Sequence, residues 1–206
     1  NEESKKQELN SDMPVAYYGG TYKRALDFII DSPFKTSQMY NTPNSALISG
    51  NKKKWHELLD EKDYLPYTVF TKTDAIKDLK FPIVAKIANG HSGKGIKKFK
   101  TKEELESNKE NFDLYCEYIP FVREYRTLFV GNKCITINER IPIKDENMTI
   151  DTKGTNDKVR FVYVVQDMKK IPWIDELYSI MKDLRKTIPM GLYSIDIVED
   201  EENKLY

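Results

Sequence analysis

The chain of 206 residues holds enough material for one large domain or two small ones with a proper core. Its 33 lysines and arginines balance 33 aspartates and glutamates, so it lacks the basic excess of a general nucleic-acid binder. Hydrophobic residues make up 39% and charged residues 32%, the profile of a globular protein with a charged surface, and no apolar run approaches the roughly 20 residues of a membrane span.

Residues 1–12 are polar and read as a lead-in; their composition is not that of a signal peptide. Val15 to Tyr18 is expected to form a short strand ended by Gly19-Gly20. Tyr22 to Ile30 carries apolar residues at helical spacing, and Asp31-Ser32-Pro33 stops it. Residues 31–50, rich in Ser, Thr, Asn and Pro, read as loop. A helix is expected from Lys52 to about Lys62, with Trp55, Leu58 and Leu59 on its buried face, then a break at Tyr64-Leu65-Pro66. Tyr67 to Phe70 reads as a strand and Asp74 to Leu79 as a short helix.

The stretch from Phe81 to Ile96 stands out. An apolar, β-branched run interrupted by Lys86 leads into Gly90, Ser92, Gly93 and Gly95, and the chain turns apolar again at Ile96. A strand, a glycine loop and a returning strand make a flap whose backbone N–H groups can approach a polyanion, with Lys86 and Lys94 supplying charge. Taken alone, a lysine-decorated hairpin explains it better.

Thr101 to Glu104 forms a capping box that opens a helix to about Lys109. Strands are expected at Leu114–Ile119, Tyr125–Val130 and Lys133–Asn138, the last two joined by a tight turn at Gly131-Asn132. Residues 143–158 read as a loop, Val159 to Val165 as a strand, and Pro172 to Thr187 as an amphipathic helix. Gly191 to Val198 is an apolar strand carrying Asp196, and Lys204 to Tyr206 begins another. The pattern is α+β with mostly antiparallel strands. Cys116 and Cys134 fit free thiols in a reducing cytoplasm. His56 and His91 show no metal-ligand spacing.

Four features carry possible chemistry. Lys86 in an apolar strand needs a partner, either a carboxylate of the chain or a phosphate. Leu114 to Pro120, followed by Glu124-Tyr-Arg126, could present a strand edge and two acids, Glu117 and Glu124, to a nucleoside. Arg126 and Arg140 offer forks that match phosphate or carboxylate oxygens. Asp196 in an apolar strand is expected to be desolvated unless it is paired or holds a hard cation such as Mg²⁺. No Ser–His–Asp or Cys–His constellation and no Gly-x-x-x-x-Gly-Lys-Ser/Thr loop competes with these.

In this order the features resemble the ATP-grasp superfamily of carboxylate–amine ligases, such as glutathione synthetase and the ribosomal-protein glutamate ligases. The matching stretches are Lys52 to Lys54, Pro82-Ile-Val-Ala-Lys86, Gly90 to Gly95, Cys116-Glu-Tyr-Ile119, Glu124-Tyr-Arg126 and Tyr193-Ser-Ile-Asp196. The resemblance covers roughly residues 51 to 206. It implies two α+β subdomains clasping a nucleotide: 51–118 with the glycine flap, and 119–206 with a shortened end. A reduced segment, 1–50, precedes them.

Residue by residue, the resemblance implies that Lys86 binds the α/β-phosphates of ATP beneath Gly90, Ser92, Gly93 and Gly95. One of Lys52, Lys53 or Lys54 would be the second phosphate lysine; spacing does not decide, and the reading leans to Lys53. Glu117 with the backbone of Tyr118 and Ile119 would hold adenine, and Glu124 the ribose. Arg126 and Arg140 would face the γ-phosphate or an acyl phosphate, and Asp196 would ligate Mg²⁺. The implied substrates are a small-molecule or peptide carboxylate and an amine, with no nucleic acid or membrane partner.

One departure stands against this. The family places a further Glu-x-Asn on the strand after the Asp strand, and the sequence stops at Tyr206 where that strand begins. A degenerate nucleotide-binding regulator or scaffold is therefore the first rival. The second, a nucleic-acid-associated protein using Lys94, Lys97, Lys98, Lys100 and Lys102, is better explained as a solvated edge, because Glu103, Glu104 and Glu106 follow at once.

Overall fold

The computed structural model describes residues 41–59, 62–90, 94–142, 159–163 and 171–206. The strand expected at Val15–Tyr18, the helix at Tyr22–Ile30, the loop at 143–158, and Ser92 and Gly93 of the flap lie outside the described residues.

Two antiparallel sheets, each covered by helices on one face, organise the chain. The first is built from β1 (Thr68–Val69), β2 (Ile83–Lys86), β3 (Ile96–Phe99) and β4 (Leu114–Glu117), in the order β1-β4-β2-β3. The second takes β5 (Arg123–Val130), β6 (Lys133–Pro142), β7 (Val159–Tyr163) and β8 (Leu192–Glu199), in the order β7-β6-β5-β8. Five helices accompany them among the described residues: α1 (Pro43–Ser49), α2 (Lys52–Leu58), α3 (Lys72–Asp78), α4 (Lys102–Ser107) and α5 (Ile174–Thr187).

The period of two along each strand decides which face is open. In the first sheet Ile83, Ala85, Phe99 and Tyr115 pack under Ala75 and Leu79 of the α3 segment and Leu105 of α4. Val84 and Lys86 therefore point to the opposite face. In the second sheet Tyr125, Phe129, Ile137, Tyr193 and Ile197 pack against Ile174, Leu177 and Met181 of α5. Glu124, Arg126, Leu128, Ser194 and Asp196 take the other face.

The short helices start where their caps put them. Thr71 and Thr101 each accept a bond from the backbone N–H three residues on, satisfying a donor that the helix itself leaves open. The same device corrects the expectation of a loop over 31–50, since Pro43–Ser49 is helical. Thr42 caps it from the side chain and Pro43 sits in its first turn, where a missing N–H costs nothing. Composition pointed to a loop because the cap residues are the same Ser, Thr, Asn and Pro that build loops.

α1 docks on the second sheet's connection. Ser45 Oγ donates to the Pro189 carbonyl at 2.5 Å, and Asn41 Oδ1 accepts from the N–H groups of Gly191 and Leu192 at 2.9 Å each. A second correction concerns α2. It ends at Leu58, which is 49% exposed, whereas His56 at 3% and Leu59 at 1% are buried. The inward face is thus Lys52, His56 and Leu59, spaced i, i+4, i+7.

Leu177 is 1% exposed at the centre of the α5 face. Leu177→Ala is expected to lower the unfolding free energy by about 2–4 kcal/mol in urea denaturation, since the cavity adds to the lost burial.

Candidate active site

Asn51 caps α2 through its side chain, which accepts from Lys54 N–H at 3.0 Å. Lys52 is therefore the first helical residue and points along the inward face. Its backbone N–H donates to the Ala88 carbonyl at 2.8 Å, and its ammonium donates to the Gly90 carbonyl. Lys53, about 100° further round the helix, pairs with Glu57 at 3.9 Å and lies 5.6 Å from the Phe70 ring centre. Lys54 is exposed. Of the three lysines the sequence left open, Lys52 is the one at the glycine loop; the lean to Lys53 runs against this geometry. Sequence spacing missed it because the choice depends on which residue caps the helix.

Lys86, at the end of β2, lies on the same side. Its charge and burial both act on its neighbours. Burial, and then the Lys86 charge, hold Lys52 below the ordinary lysine range. The same two causes press His56 down to about 3. Among the described residues no carboxylate lies within 4.0 Å of the Lys86 ammonium.

The loop between β2 and β3 is shaped by its glycines. Ile87 N–H donates to the Gly95 carbonyl at 2.8 Å, and Gly95 sits at φ 73, where a Cβ would come 2.7 Å from the Ile87 side chain. A Cβ on Gly90 would meet the Lys94 carbonyl oxygen at 2.5 Å. Neither position accepts a side chain without moving the backbone.

The connection after β4 uses its amides internally. Glu117 N–H donates to Tyr67 O at 3.0 Å and Tyr118 N–H to Pro82 O at 3.1 Å. The Tyr118 amide is therefore committed, and a ligand could use only its carbonyl or its ring, over which Lys98 Nζ sits at 3.6 Å. Register sets Glu117 opposite Ile83, on the face away from Lys86. Ile119 is half-buried beside this hinge.

On the second sheet four charged residues interlock. Arg140 meets Glu124 at 2.7 Å, both about five-sixths buried, and lies 4.0 Å from Asp196. Arg126 meets Asp196 at 3.2 Å, its register partner across β5 and β8. Asp196 is therefore paired, one of the two outcomes expected for an acid in that strand, but at 48% exposed the pair is not buried. The buried acid of β8 is Glu199, which accepts from Tyr125 OH at 2.7 Å. Alternation along β8 decides this, and an apolar-looking run concealed it.

A groove of about 280 Å³ runs beside these charges, lined by Arg126, Thr127, Leu128, Thr136, Asn138 and Ser194. Asn138 stands opposite Arg126 across β5 and β6, a neighbour that no sequence motif signalled. A larger hollow, about 480 Å³, lies on the outer side of α5. There Asp183 is already engaged by Lys62 at 2.8 Å and by Tyr64 OH at 3.1 Å, so its charges satisfy one another.

For a divalent cation the fit is poor. Among the described residues no three His, Cys, Asp or Glu side chains come together, and Asp196 is engaged by Arg126. For a polyphosphate the fit is good, since Lys52 and Lys86 come together beside Gly90 and, among the described residues, no carboxylate lies within 4.0 Å of the Lys86 ammonium.

No family model matches the sequence, and no curated protein does. Solved structures match by fold. One is purK, N5-carboxyaminoimidazole ribonucleotide synthetase in its ADP complex, 12% identical, covering 95% of this chain and 52% of that one at a TM-score of 0.66. D-alanine–D-alanine ligase from Bacillus anthracis is 17% identical, over 81% of this chain and 57% of that one, at 0.58. The ATP-grasp ligase PsnB, complexed with minimal precursor, Mg and ADP, is 13% identical, over 89% and 55%, also at 0.58. The chain has the ATP-grasp fold, α+β with antiparallel sheets. It spans about half the length of these structures.

His56 ionises near 6.5 when unfolded but only near 3 in the fold, so between those values the unfolded chain binds more protons. Stability should therefore fall with acidification in that window, by up to about 1.4 kcal/mol per pH unit. Urea unfolding at pH 7, 6 and 5 should show a steeper loss for wild type than for His56→Gln.

Proposed function

We propose that the chain binds ATP and belongs to a ligase that joins a carboxylate to an amine through an acyl phosphate. The observation that carries this reading is the meeting of Lys52 and Lys86 at the Gly90–Gly95 loop. Like charges held together by burial, with no carboxylate beside Lys86 among the described residues, are destabilising until an anion arrives. The ATP-grasp fold and the ADP held by neighbours of that fold support a nucleotide as that anion.

On this reading Lys52 takes the phosphate role in place of Lys53, Lys86 contacts the α/β-phosphates, and Gly90, Ser92, Gly93 and Gly95 cover them. Tyr118 and Ile119 present backbone to adenine, with Glu117 behind them. Glu124 is available to the ribose only if Arg140 releases it. Arg126 and Arg140 stabilise charge on the transferred phosphoryl. Mg²⁺ would neutralise phosphate charge when bound, and Asp196, held by Arg126, offers it one oxygen donor. Residues 51–118 and 119–206 act as the two halves of the clasp.

The substrates are a small-molecule or peptide carboxylate and an amine. Two buried, unpaired thiols, Cys116 and Cys134, support a cytoplasmic setting. Among the described residues no helix is long and apolar enough to cross a membrane. A nucleotide-binding regulator without ligase chemistry is the second reading, favoured by the engagement of Asp196 with Arg126.

Calorimetric titration with ATP and Mg²⁺ tests the proposal. Lys52→Ala and Lys86→Ala should each weaken binding at least about tenfold, as expected for loss of a charge-assisted contact. Lys53→Ala should change it less than about twofold. No saturable binding to wild type would remove the nucleotide reading. Binding without ADP release, across a panel of carboxylates and amines, would favour the regulator.

A further inference from the structure

The two sheets carry separate cores: the one under α3 and α4 and the one under α5 share no residue. The chain passes between them at two short stretches. One is Gly50-Asn51. Before it, Ser45 Oγ donates to the Pro189 carbonyl at 2.5 Å, on the second half; after it, the Lys52 N–H donates to the Ala88 carbonyl at 2.8 Å, on the first. The other lies between Tyr118, whose N–H goes to Pro82, and Val122, whose N–H goes to Glu199. Passages this short act as hinges, since a few backbone angles can turn one packed body against the other without disturbing either core.

Two hinge points leave one main turning motion, and a third contact is what fixes the angle. Asp183 supplies it. It stands on α5, whose Leu177 and Met181 face the second core, while its carboxylate reaches the first half. Oδ2 accepts from Lys62 Nζ at 2.8 Å and from Tyr64 OH at 3.1 Å. Both donors come from one turn, which Leu65 N–H closes on the Lys62 carbonyl at 2.9 Å. We propose that Asp183 is a releasable tie that sets the resting angle between the two halves, and with it the gap between the Lys52–Lys86 side and the arginines of the second sheet. This rests on the reading of 51–118 and 119–206 as two halves of a clasp, and not on the identity of any ligand.

The surroundings make the tie releasable. Lys62 and Asp183 are 38% and 34% exposed, so solvent screens their attraction. The hollow of about 480 Å³ flanks the contact, and apart from Ile180 the groups that line it are polar or charged, so little apolar packing backs the tie. A second cation also stands ready. Lys186, one turn along α5, lies 4.0 Å from Asp183 Oδ1. When Lys62 leaves, Asp183 exchanges one lysine for another and is not left unpaired. Two arrangements close in energy are what a shift of population requires.

The test reads the distance between the halves. Spin labels on Lys77→Cys in α3 and Lys133→Cys at the start of β6 sit at exposed positions, while Cys116 and Cys134 are buried and stay unlabelled. In dilute buffer the intact tie should give one narrow distance. Asp183→Asn and Lys62→Met should each broaden it or move it by about 2 Å or more, the scale of a domain rearrangement. Salt at about 1 M, where screening acts over about 3 Å, should do the same to the intact tie and add little in Asp183→Asn. Lys186→Ala, which removes only the alternative partner, should stay narrow to higher salt. A distance indifferent to Asp183→Asn, or broadened by salt equally with and without Asp183, would overturn the proposal. Broadening by Lys186→Ala would overturn the exchange of partners. The salt series needs no change at Asp183, so a variant that does not fold leaves the test intact. A distance that ATP moves and Asp183→Asn does not would remove the tie and keep the two halves. The expected shifts in a chain that binds no ATP would keep the tie and remove the nucleotide reading.

Discussion

Two ammonium groups, on α2 and on β2, are brought together at the mouth of one loop, and the local structure of the first sheet is arranged to keep them there. The Asn51 cap fixes which lysine leads the helix, and the Lys52 N–H to Ala88 bond pins that helix to the end of β2. Burial strips Lys52 of part of its hydration, and the Lys86 charge adds to the cost of keeping it protonated. Three lysines in the first turn also oppose the helix dipole, an arrangement that weakens a short helix. Packing of Leu59 and His56 must offset it. A site that stores unfavourable charge in this way has more to gain from an anion than a solvated surface patch does.

The second sheet handles charge in the opposite way. Arg140 and Glu124 are largely buried and already joined at 2.7 Å, and Arg126 and Asp196 are joined at 3.2 Å in half-exposed surroundings. Breaking one partner of the buried pair costs about 3–5 kcal/mol, so Arg140 is held by the fold itself. The Arg126–Asp196 pair, screened by solvent, contributes about 0–1 kcal/mol and exchanges partners readily. Of the two arginines, Arg126 is thus the one the fold leaves able to turn and Arg140 the fixed one. Sequence order alone treated them as equivalent.

What the sequence revealed and what it hid follow the same physical line. Strand alternation, the hairpin at Gly131-Asn132 and the capping box at Thr101 are local, and they survived into the structure. The order of motifs was enough to anticipate the ATP-grasp fold. The helix at Pro43–Ser49 was hidden because cap residues and loop residues have the same composition. The inward turn of His56 was hidden because a seven-residue helix has too few apolar positions to define a face, leaving Leu58 a fair but wrong guess. Asp196 is half-exposed and the buried acid of the strand is Glu199, because a run of apolar residues does not say which parity meets the core.

The site's asymmetry also bears on the order of events. On the proposed reading an arriving nucleotide would meet the Lys52–Lys86 side first, where Lys52 is held only by the Gly90 carbonyl and, among the described residues, no carboxylate lies beside Lys86. The Glu124–Arg140 and Arg126–Asp196 pairs would then respond to the charge a nucleotide brings, Arg126 most easily. On that reading, binding energy from the first sheet would be spent on rearranging the second, which is how interactions remote from the reacting atoms come to raise a rate and not merely an affinity.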